Sequence, residues 1–176
     1  ILIFHVGTIL LGQTYRVEAV AGADHAKEGP GLSVPLSAPF DIVDGRDGMS
    51  YISDNFDHGI RRIAPDFTVT TIAGNGLCCA LGDGGQAREA RVGYPAGLAI
   101  DLTRNRFYIA QPEHGITRAV DLNTGMTSNI AGNGMLKYNA ANENRPATQA
   151  SISPTWLATD EAGNLFVSDT ENGRIY

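Results

Sequence analysis

A nine-residue segment that occurs twice is the strongest constraint on how this chain can fold. TVTTIAGNG at 68–76 returns as MTSNIAGNG at 126–134, and YRVEAVAGA at 15–23 is a weaker copy. After each copy come a loop of variable length, a proline and a matching block. The prolines are Pro39, Pro95 and Pro154. Matching segments in a fixed order indicate a repeat architecture, whose period should be identified before any single element is assigned.

Each block after its proline is divided by turns into short apolar or alternating runs. In the middle unit the runs AGLAID, RFYIAQ, GITRAVDL and MTSNIAG are separated by TRN, PEHG and NTG. These runs have the length and turn signals of β-strands, and no segment keeps a helical period of 3.6 residues. Four short strands at a period of about 40 to 60 residues are typical of a propeller blade. The sequence therefore predicts an all-β chain of four-stranded antiparallel blades.

The motifs IAGNG, GDGGQA, GLAID and FYIAQ, in this order, resemble NHL repeats, and the resemblance covers residues 15–176. It implies a β-propeller, which has six blades in typical members of that family. The third unit departs from the pattern, since NENRPATQA keeps only the Ala-x-x-Ala spacing of GDGGQAREA. The first unit has neither feature.

The repeat predicts an incomplete ring with two full blades, a half blade and one stray outer strand. We assign the full blades to 39–74 and 95–132, the half blade to 155–176, and the stray strand to 15–22, where it would close the ring. About three further blades are then expected beyond Tyr176, because six-bladed rings are typical of the resembled family.

Residues 1–14 form an apolar N-terminal segment, and ILIFHVGTILLG has the length of the apolar core of a secretory signal peptide. A buried strand is the alternative interpretation. The first interpretation predicts a secreted or extracellular, membrane-attached protein. Membrane association through regions outside this sequence is left open.

The charge balance disfavours nucleic acid as a partner. The chain has 13 Lys and Arg against 19 Asp and Glu, a net charge of −6. Binding to a phosphate backbone needs a clustered basic face. The sequence also lacks a Gly-x-Ser-x-Gly elbow, a phosphate loop and a Cys-x-x-Cys pair, so we predict no catalytic residue, metal ligand or cofactor. The disulfide state of Cys78 and Cys79 is left open.

One face of the propeller is predicted to carry function. In an antiparallel blade, the connections between blades and the turns between the second and third strands lie on the same face, which we call the loop face. Long ordered loops on a rigid scaffold are common binding sites. The candidate ligand-binding residues on this face are Asp54, His58, Gln111, His114, Asp169, Asn172, Asp83, Gly84 and Gly85.

Several of these candidates have a structural alternative. Asp54, Gln111 and Asp169 recur at the end of the second strand, which favours a role in the fold. His58 and His114 both precede Gly-Ile and are predicted to occupy related places on adjacent blades. They are either two members of a metal site, which needs three or four ligands, or two exposed turn residues.

Two further patterns also allow two interpretations. The glycines around Asp83 either form a backbone nest for an anion or permit a tight turn. Asp44, Asp101 and Asp160 end the first strand of each unit. They either form a ring of carboxylates that could hold a cation or cap the following turn, and their position before a turn favours the cap.

These observations favour a non-catalytic scaffold that binds a protein or a small-molecule ligand on the loop face. The alternative is a metal-dependent hydrolase or lyase with a cation in the propeller channel and some ligands in missing blades. That alternative is implied by the resemblance, which extends to an amidating-enzyme lyase and the gluconolactonase-like group. RNA binding, known for some NHL propellers, is the least favoured because the chain is acidic.

Overall fold

The computed structural model describes residues 28–45, 48–142 and 144–176. The predicted outer strand at 15–22 and the apolar segment 1–14 lie outside these ranges. The strands, in chain order, are β1 (Gly29–Pro30), β2 (Pro39–Asp44), β3 (Ser50–Asp54), β4 (Gly59–Ile63), β5 (Thr68–Ala73), β6 (Ala80–Leu81), β7 (Arg91–Val92), β8 (Leu98–Asp101), β9 (Arg106–Gln111), β10 (Ile116–Asp121), β11 (Thr127–Ala131), β12 (Pro154–Thr159), β13 (Leu165–Asp169) and β14 (Arg174–Ile175). Short 3-10 turns span Gly31–Ser33, Pro112–His114, Ala140–Asn142 and Ala147–Gln149. Across the described ranges, no helix is long and apolar enough to span a lipid bilayer.

The strands form three antiparallel sheets and one small ribbon. Blade 1 has the order β1-β5-β4-β3-β2, and blade 2 has the order β11-β10-β9-β8. The third sheet is β12-β13-β14, and β6 pairs with β7 in the connection between the two blades. The innermost strands β2, β8 and β12 are neighbours in space. The predicted all-β class is confirmed, and the sheets are arranged as successive blades around an axis.

Blade 2 is buried on both faces because it lies between blade 1 and the third sheet. On β9, Phe107 and Ile109 pack into the core shared with blade 1. Tyr108, between them, packs into the core shared with the third sheet. This is the alternation expected from RFYIAQ. Burial of a side chain such as Phe107, which is fully enclosed, contributes about 1.5 to 3 kcal/mol to folding.

Small residues allow the inner strands to approach one another. Gly97 N–H donates to the Thr155 carbonyl at 2.8 Å, and Leu98 N–H donates to Asp41 Oδ2 at 2.8 Å. A Cβ atom at position 97 would overlap the backbone of Thr155 and Trp156. The inner strand of blade 2 is therefore tied directly to those of both neighbours.

The connections that enter blades 1 and 2 each pair with the outer strand of the blade they enter. β1 pairs with β5, with Gly29 opposite Val69. In blade 2, Gly84 N–H donates to the Thr127 carbonyl at 2.8 Å, and Thr127 N–H donates to the Gly85 carbonyl at 2.9 Å. The sequence analysis did not predict this edge pairing.

A three-residue turn recurs in the connection that enters each of the three units. The amide of the fourth residue donates to the carbonyl of the first, in the pairs Val34 to Gly31, Ala90 to Ala87 and Ala150 to Ala147. The first unit lacks the Ala-x-x-Ala spacing in its sequence and nevertheless forms the same turn. Gly-x-x-Val replaces Ala-x-x-Ala there, because the turn requires the backbone bond and small or buried side chains rather than alanine itself.

The turn-cap interpretation holds for two of the three recurring aspartates. Asp101 Oδ1 accepts the amides of Thr103 and Arg104, and the Arg104 side chain is the main cause of the lowered pKa of Asp101. Asp160 Oδ1 accepts the Asn164 amide at 2.7 Å, and hydrogen bonds from Asn164 lower the pKa of Asp160. Asp44 accepts the hydroxyl of Ser50, and the turn that follows it includes residues outside the described ranges.

Candidate binding face

The turns between second and third strands contact the connections between blades, as the definition of the loop face requires. His58 Nδ1 accepts the Tyr94 amide at 3.2 Å. Asn172 Nδ2 donates to the Leu136 carbonyl at 2.8 Å, and its Oδ1 accepts the Tyr138 amide at 2.9 Å. The loop face is therefore a continuous hydrogen-bonded surface that joins neighbouring units.

Asp54 and Gln111 are fully buried at the ends of β3 and β9. Asp54 Oδ1 accepts the amides of Ser37 at 2.8 Å and Ala38 at 3.1 Å. Gln111 Nε2 donates to the Gly93 carbonyl at 3.1 Å. Both side chains fasten the chain segment that enters their own blade, so they have the fold role that their recurrence predicted.

Asp169 is also fully buried, and its carboxylate accepts the side-chain amide of Asn172 at 2.8 Å. The same Asn172 amide reaches the connection that precedes the third sheet. The pair therefore holds its own turn and the neighbouring connection together. Neither side chain needs a ligand to satisfy it.

The predicted equivalence of His58 and His114 is wrong by one residue. The strand pairs that close the two turns are Asp54 with Gly59 and Gln111 with Ile116. In this register His58 corresponds to Gly115 and Gly173, whereas His114 corresponds to Asp57. The shared position is left-handed, with φ of 50° at His58, 58° at Gly115 and 64° at Gly173. Blade 1 fills it with histidine where the other units use glycine, which shifts the His-Gly pattern along the chain.

The two histidines nevertheless meet at one tyrosine. The Tyr94 ring contacts the His58 ring edge-on, with centroids 4.6 Å apart, and lies 6.4 Å from the His114 ring. Phe56 adds a second edge-on contact to Tyr94 at 6.5 Å. We call Phe56, His58, Tyr94 and His114 the aromatic cluster. It bridges blades 1 and 2 on the loop face.

His114 is enclosed by the connection that follows blade 1. Its Nε2 atom is buried and finds no hydrogen-bond partner among the described residues. A Cβ atom at Gly93 would overlap this nitrogen and the Cys79 backbone. Burial is the main cause of the lowered pKa of His114; the Glu113 carboxylate opposes this effect, and Arg118 and His58 add to it. The ring is therefore neutral at pH 7.

Gly84 and Gly85 lie at the outer edge of blade 2 and not near the aromatic cluster. The Gly84 amide donates to Thr127, and the Gly85 amide donates to the Gly82 carbonyl at 3.2 Å. Because both amides already donate to backbone carbonyls, they are not available to bind an anion, and the glycines support the tight-turn interpretation. Gly82 takes φ 97° and lies against Ala90, which explains the need for glycine there.

Asp83 is half-exposed and forms an ion pair that was not predicted from the sequence. Its Oδ1 lies 3.0 Å from Nε of Arg118, a fully buried side chain on β10. Arg118 also donates from Nη1 to the Arg91 carbonyl at 2.7 Å. The alternation of β10 placed Arg118 on one side of the strand, but nothing local in the sequence indicates its distant partner.

Arg61 occupies the same register position in blade 1, since Arg61 faces Ile52 as Arg118 faces Ile109. Its partners are different, because it contacts the Asp57 carboxylate and the Thr71 hydroxyl. It borders a surface pocket of about 390 Å³, whose charged lining residues are Glu28, Asp57, Arg61 and Arg88.

The Gly-Asn-Gly motif forms the same turn at the start of both connections. Asn75 Oδ1 accepts the Leu77 amide at 3.0 Å, and Asn133 Oδ1 accepts the Met135 amide at 2.9 Å. Both asparagine side chains also donate, at 3.0 Å, to the carbonyls of Glu89 and Gln149 respectively. Each turn leaves an apolar side chain in solvent, with Leu77 51% and Met135 66% exposed. The repetition of this motif in the sequence did not indicate the exposed apolar residue that follows it.

Within the described ranges, no three His, Cys, Asp or Glu side chains converge in a way that could hold a metal ion. His58 and His114 share Tyr94 as a neighbour, but neither is joined by a described carboxylate or thiol in such a group.

Comparison with known proteins agrees with this architecture. No protein-family model matches the chain. Protein SUPPRESSOR OF QUENCHING 1, chloroplastic, from Arabidopsis thaliana is 35% identical over 104 residues, which are 58% of this chain and 10% of that protein. The match therefore spans about a tenth of the length of that relative.

Solved structures resemble the chain in fold. An auxiliary nutrient binding protein from Bacteroides thetaiotaomicron superposes with a TM-score of 0.61 and 24% identity, over 77% of this chain and 36% of that one. A gluconolactonase from Xanthomonas campestris gives 0.53 and 16%, over 89% and 46%. The chain thus spans between about a third and a half of these structures. Together with the sheet order, they show that the described residues form part of a β-propeller.

Proposed function

We propose that this β-propeller is of the NHL type and is a non-catalytic scaffold that binds a protein segment on its loop face. The observation that carries the proposal is the repeated turn that presents Leu77 and Met135 at equivalent positions of adjacent units. Phe56, 64% exposed, adds a third apolar side chain on this face. Exposed apolar groups on one surface, surrounded by polar residues, are typical of interaction sites.

The presenting turns are held rigidly, which favours binding. The glycines of the two motifs have nearly the same left-handed φ angles, 91° and 81° at Gly74 and Gly76, and 91° and 85° at Gly132 and Gly134. The asparagine hydrogen bonds then fix the position of the apolar residue that follows. A pre-ordered surface loses less conformational entropy when a partner binds.

A protein segment fits this surface better than a small molecule. Leu77 and Met135 project from separate connections on an open face, so one ligand must extend between them to contact both. Asp54, Gln111 and Asp169 are the fully buried polar candidates, the kind of group that would orient a small ligand in an enclosed pocket, and each is already hydrogen-bonded to the backbone or to a neighbouring side chain.

Selection from a displayed library of random peptides tests the proposal. We expect peptides to be enriched on the wild-type chain. Their affinity should fall at least about tenfold in Leu77→Ser/Met135→Ser, the loss of about 1.4 kcal/mol of contact energy. The matched control is Phe67→Asn, which removes an apolar side chain, 50% exposed, from the turn between β4 and β5 on the opposite face. Phe67 has φ 63°, which asparagine tolerates, so this variant should bind as the wild type does.

Two results would contradict the proposal. One is the failure of any peptide to be enriched above the empty display particle. The other is stoichiometric divalent metal on the purified protein, together with lactone hydrolysis that a chelator abolishes. The second result would establish the metal-dependent hydrolase alternative, for which the described residues supply no ligand set.

A further inference from the structure

The first connection carries two adjacent thiols on the loop face. Cys78 and Cys79 are exposed and free, and they are the only cysteines in the sequence. Cys79 takes φ 82°, in the left-handed region that residues other than glycine, asparagine and aspartate seldom adopt. The neighbouring Cys78 side chain is the main cause of the raised pKa of Cys79, because it favours the protonated Cys79 thiol.

A disulfide between these neighbours would be strained. The described chain has no cis peptide bond, so the two Cα atoms are about 3.8 Å apart. Ordinary disulfides join Cα atoms about 4.4 to 6.8 Å apart. Strained and exposed disulfides are the easily reduced ones, which serve regulation rather than stability.

We propose that Cys78 and Cys79 are a redox-active vicinal dithiol that closes to an intramolecular disulfide. The oxidant is a low-molecular-weight disulfide such as oxidised glutathione. One cysteine thiolate attacks a glutathione sulfur, breaks the glutathione disulfide and releases one glutathione thiol. The neighbouring thiolate then attacks the protein sulfur of the mixed disulfide, forms the Cys78–Cys79 bond and releases the second glutathione. Two electrons and two protons pass from the dithiol to the two glutathione thiols.

Adjacency makes the second step fast compared with capture of another molecule. The second thiol is held beside the mixed disulfide, so its effective concentration greatly exceeds that of free glutathione. The raised pKa of Cys79 leaves little of its thiolate at neutral pH, so ring closure should accelerate as pH rises.

Ring closure acts on the segment that contacts the aromatic cluster. The Cys79 carbonyl accepts the Gly93 amide at 2.8 Å, and the Gly93 carbonyl accepts Gln111 Nε2. A change in the Cys78–Cys79 peptide is therefore one hydrogen bond from the residue that encloses His114. The redox site itself does not depend on the proposed binding function.

The test is equilibration of the full chain in glutathione buffers of increasing oxidised fraction. Acid quenching, alkylation of free thiols and mass spectrometry of the intact chain and its peptides follow. We expect the wild type to lose two hydrogens, within one peptide that contains both cysteines. In the same buffers, Cys78→Ser and Cys79→Ser should carry one glutathione, at about ten times or more the wild-type level. Circular dichroism of each variant checks that it remains folded.

Three results would overturn the proposal. They are wild-type thiols that stay free in buffers that modify the single variants, a wild type that carries glutathione as fully as the variants do, and disulfides that join two copies of the chain.

Discussion

The two connections between successive sheets, residues 74–97 and 132–153, are alike at both ends and different in the middle. Each begins with the Gly-Asn-Gly turn and later passes through the three-residue turn that starts at Ala87 or Ala147. The first connection also contains two adjacent cysteines followed by the β6–β7 ribbon, whose second strand comes after the turn at Ala87, whereas the second connection contains the 3-10 turn Ala140–Asn142. The shared ends are fixed by the blades they join, and the middle is left free to vary.

One backbone bond shows why the ends are shared. Gly74 N–H donates to the Ala87 carbonyl at 2.8 Å, and Gly132 N–H donates to the Ala147 carbonyl at 2.9 Å. A Cβ atom at either glycine would overlap the carbonyl of His58 or Gly115, the left-handed residues of the neighbouring turns. Blade and connection therefore meet at a point where only glycine fits.

Substitution of these glycines should have the largest effect. Gly132→Ala introduces both a strained φ and a backbone overlap, and we expect a loss of about 3 kcal/mol or more in the free energy of unfolding by urea. Gly84→Ala is the matched control, because Gly84 has φ 80° but no atom within 4 Å of the added Cβ. It should lose only about 1 to 2 kcal/mol. If Gly132→Ala and Gly84→Ala lost the same unfolding free energy, the overlap of the new Cβ atom with the Gly115 carbonyl would not destabilise the fold.

The Asp83–Arg118 pair tests how firmly the middle of the first connection is anchored. Asp83→Asn leaves a buried, unpaired guanidinium and should cost about 2 to 3 kcal/mol. Arg118→Met keeps most of the buried volume and leaves only a half-exposed carboxylate in water, so it should cost about 1 kcal/mol. The double variant should match Arg118→Met in urea unfolding. If Asp83→Asn lost less stability than Arg118→Met, the buried Arg118 guanidinium would not depend on Asp83 to offset its charge.

The enclosure of His114 predicts a pH dependence. The pKa of His114 is lowered in the folded protein, so folding favours the neutral ring. The free energy of unfolding is therefore highest above the ordinary histidine pKa of about 6.5, and it falls as the pH drops from there toward the folded pKa. The slope from this one group reaches at most about 1.4 kcal/mol per pH unit. His114→Asn provides the comparison, and its urea-unfolding free energy should fall less between pH 7 and 5. Parallel curves for the two proteins would contradict the enclosure of the ring.

The exposed side chains should matter least for folding. Leu77→Ser/Met135→Ser removes apolar groups that the turns hold in solvent, so the unfolding free energy should change by less than about 0.5 kcal/mol per site. A larger loss would mean that these residues pack against the chain and are not displayed for a partner.

The sequence was sufficient for features set by local periodicity. The recurrence of IAGNG predicted the repeated units, the runs between turns predicted their short strands, and the aspartate before each turn identified Asp101 and Asp160 as caps. Each of these depends on residues a few positions apart, so the pattern alone carries the information.

Features that depend on distant contacts were not predictable in this way. The pairing of Gly84 with Thr127 and of Asp83 with Arg118 joins residues far apart in sequence. The misplaced equivalence of His58 and His114 has a different cause. Both histidines are followed by Gly-Ile, so the sequence aligns His58 with His114. The strand register shows that His58, in the left-handed position, corresponds to Gly115.

Hydrogen exchange at the Gly74 and Gly132 amides tests most directly whether the loop face is a rigid frame built on the blades. Both amides are donors to the turn that follows, so we predict exchange only through opening that approaches global unfolding. The amide of Lys137, in the variable middle of the second connection, should exchange much faster. If Gly74 and Gly132 exchange as fast as Lys137, the ends of the connections are not fixed by the blades, and the shared frame does not exist.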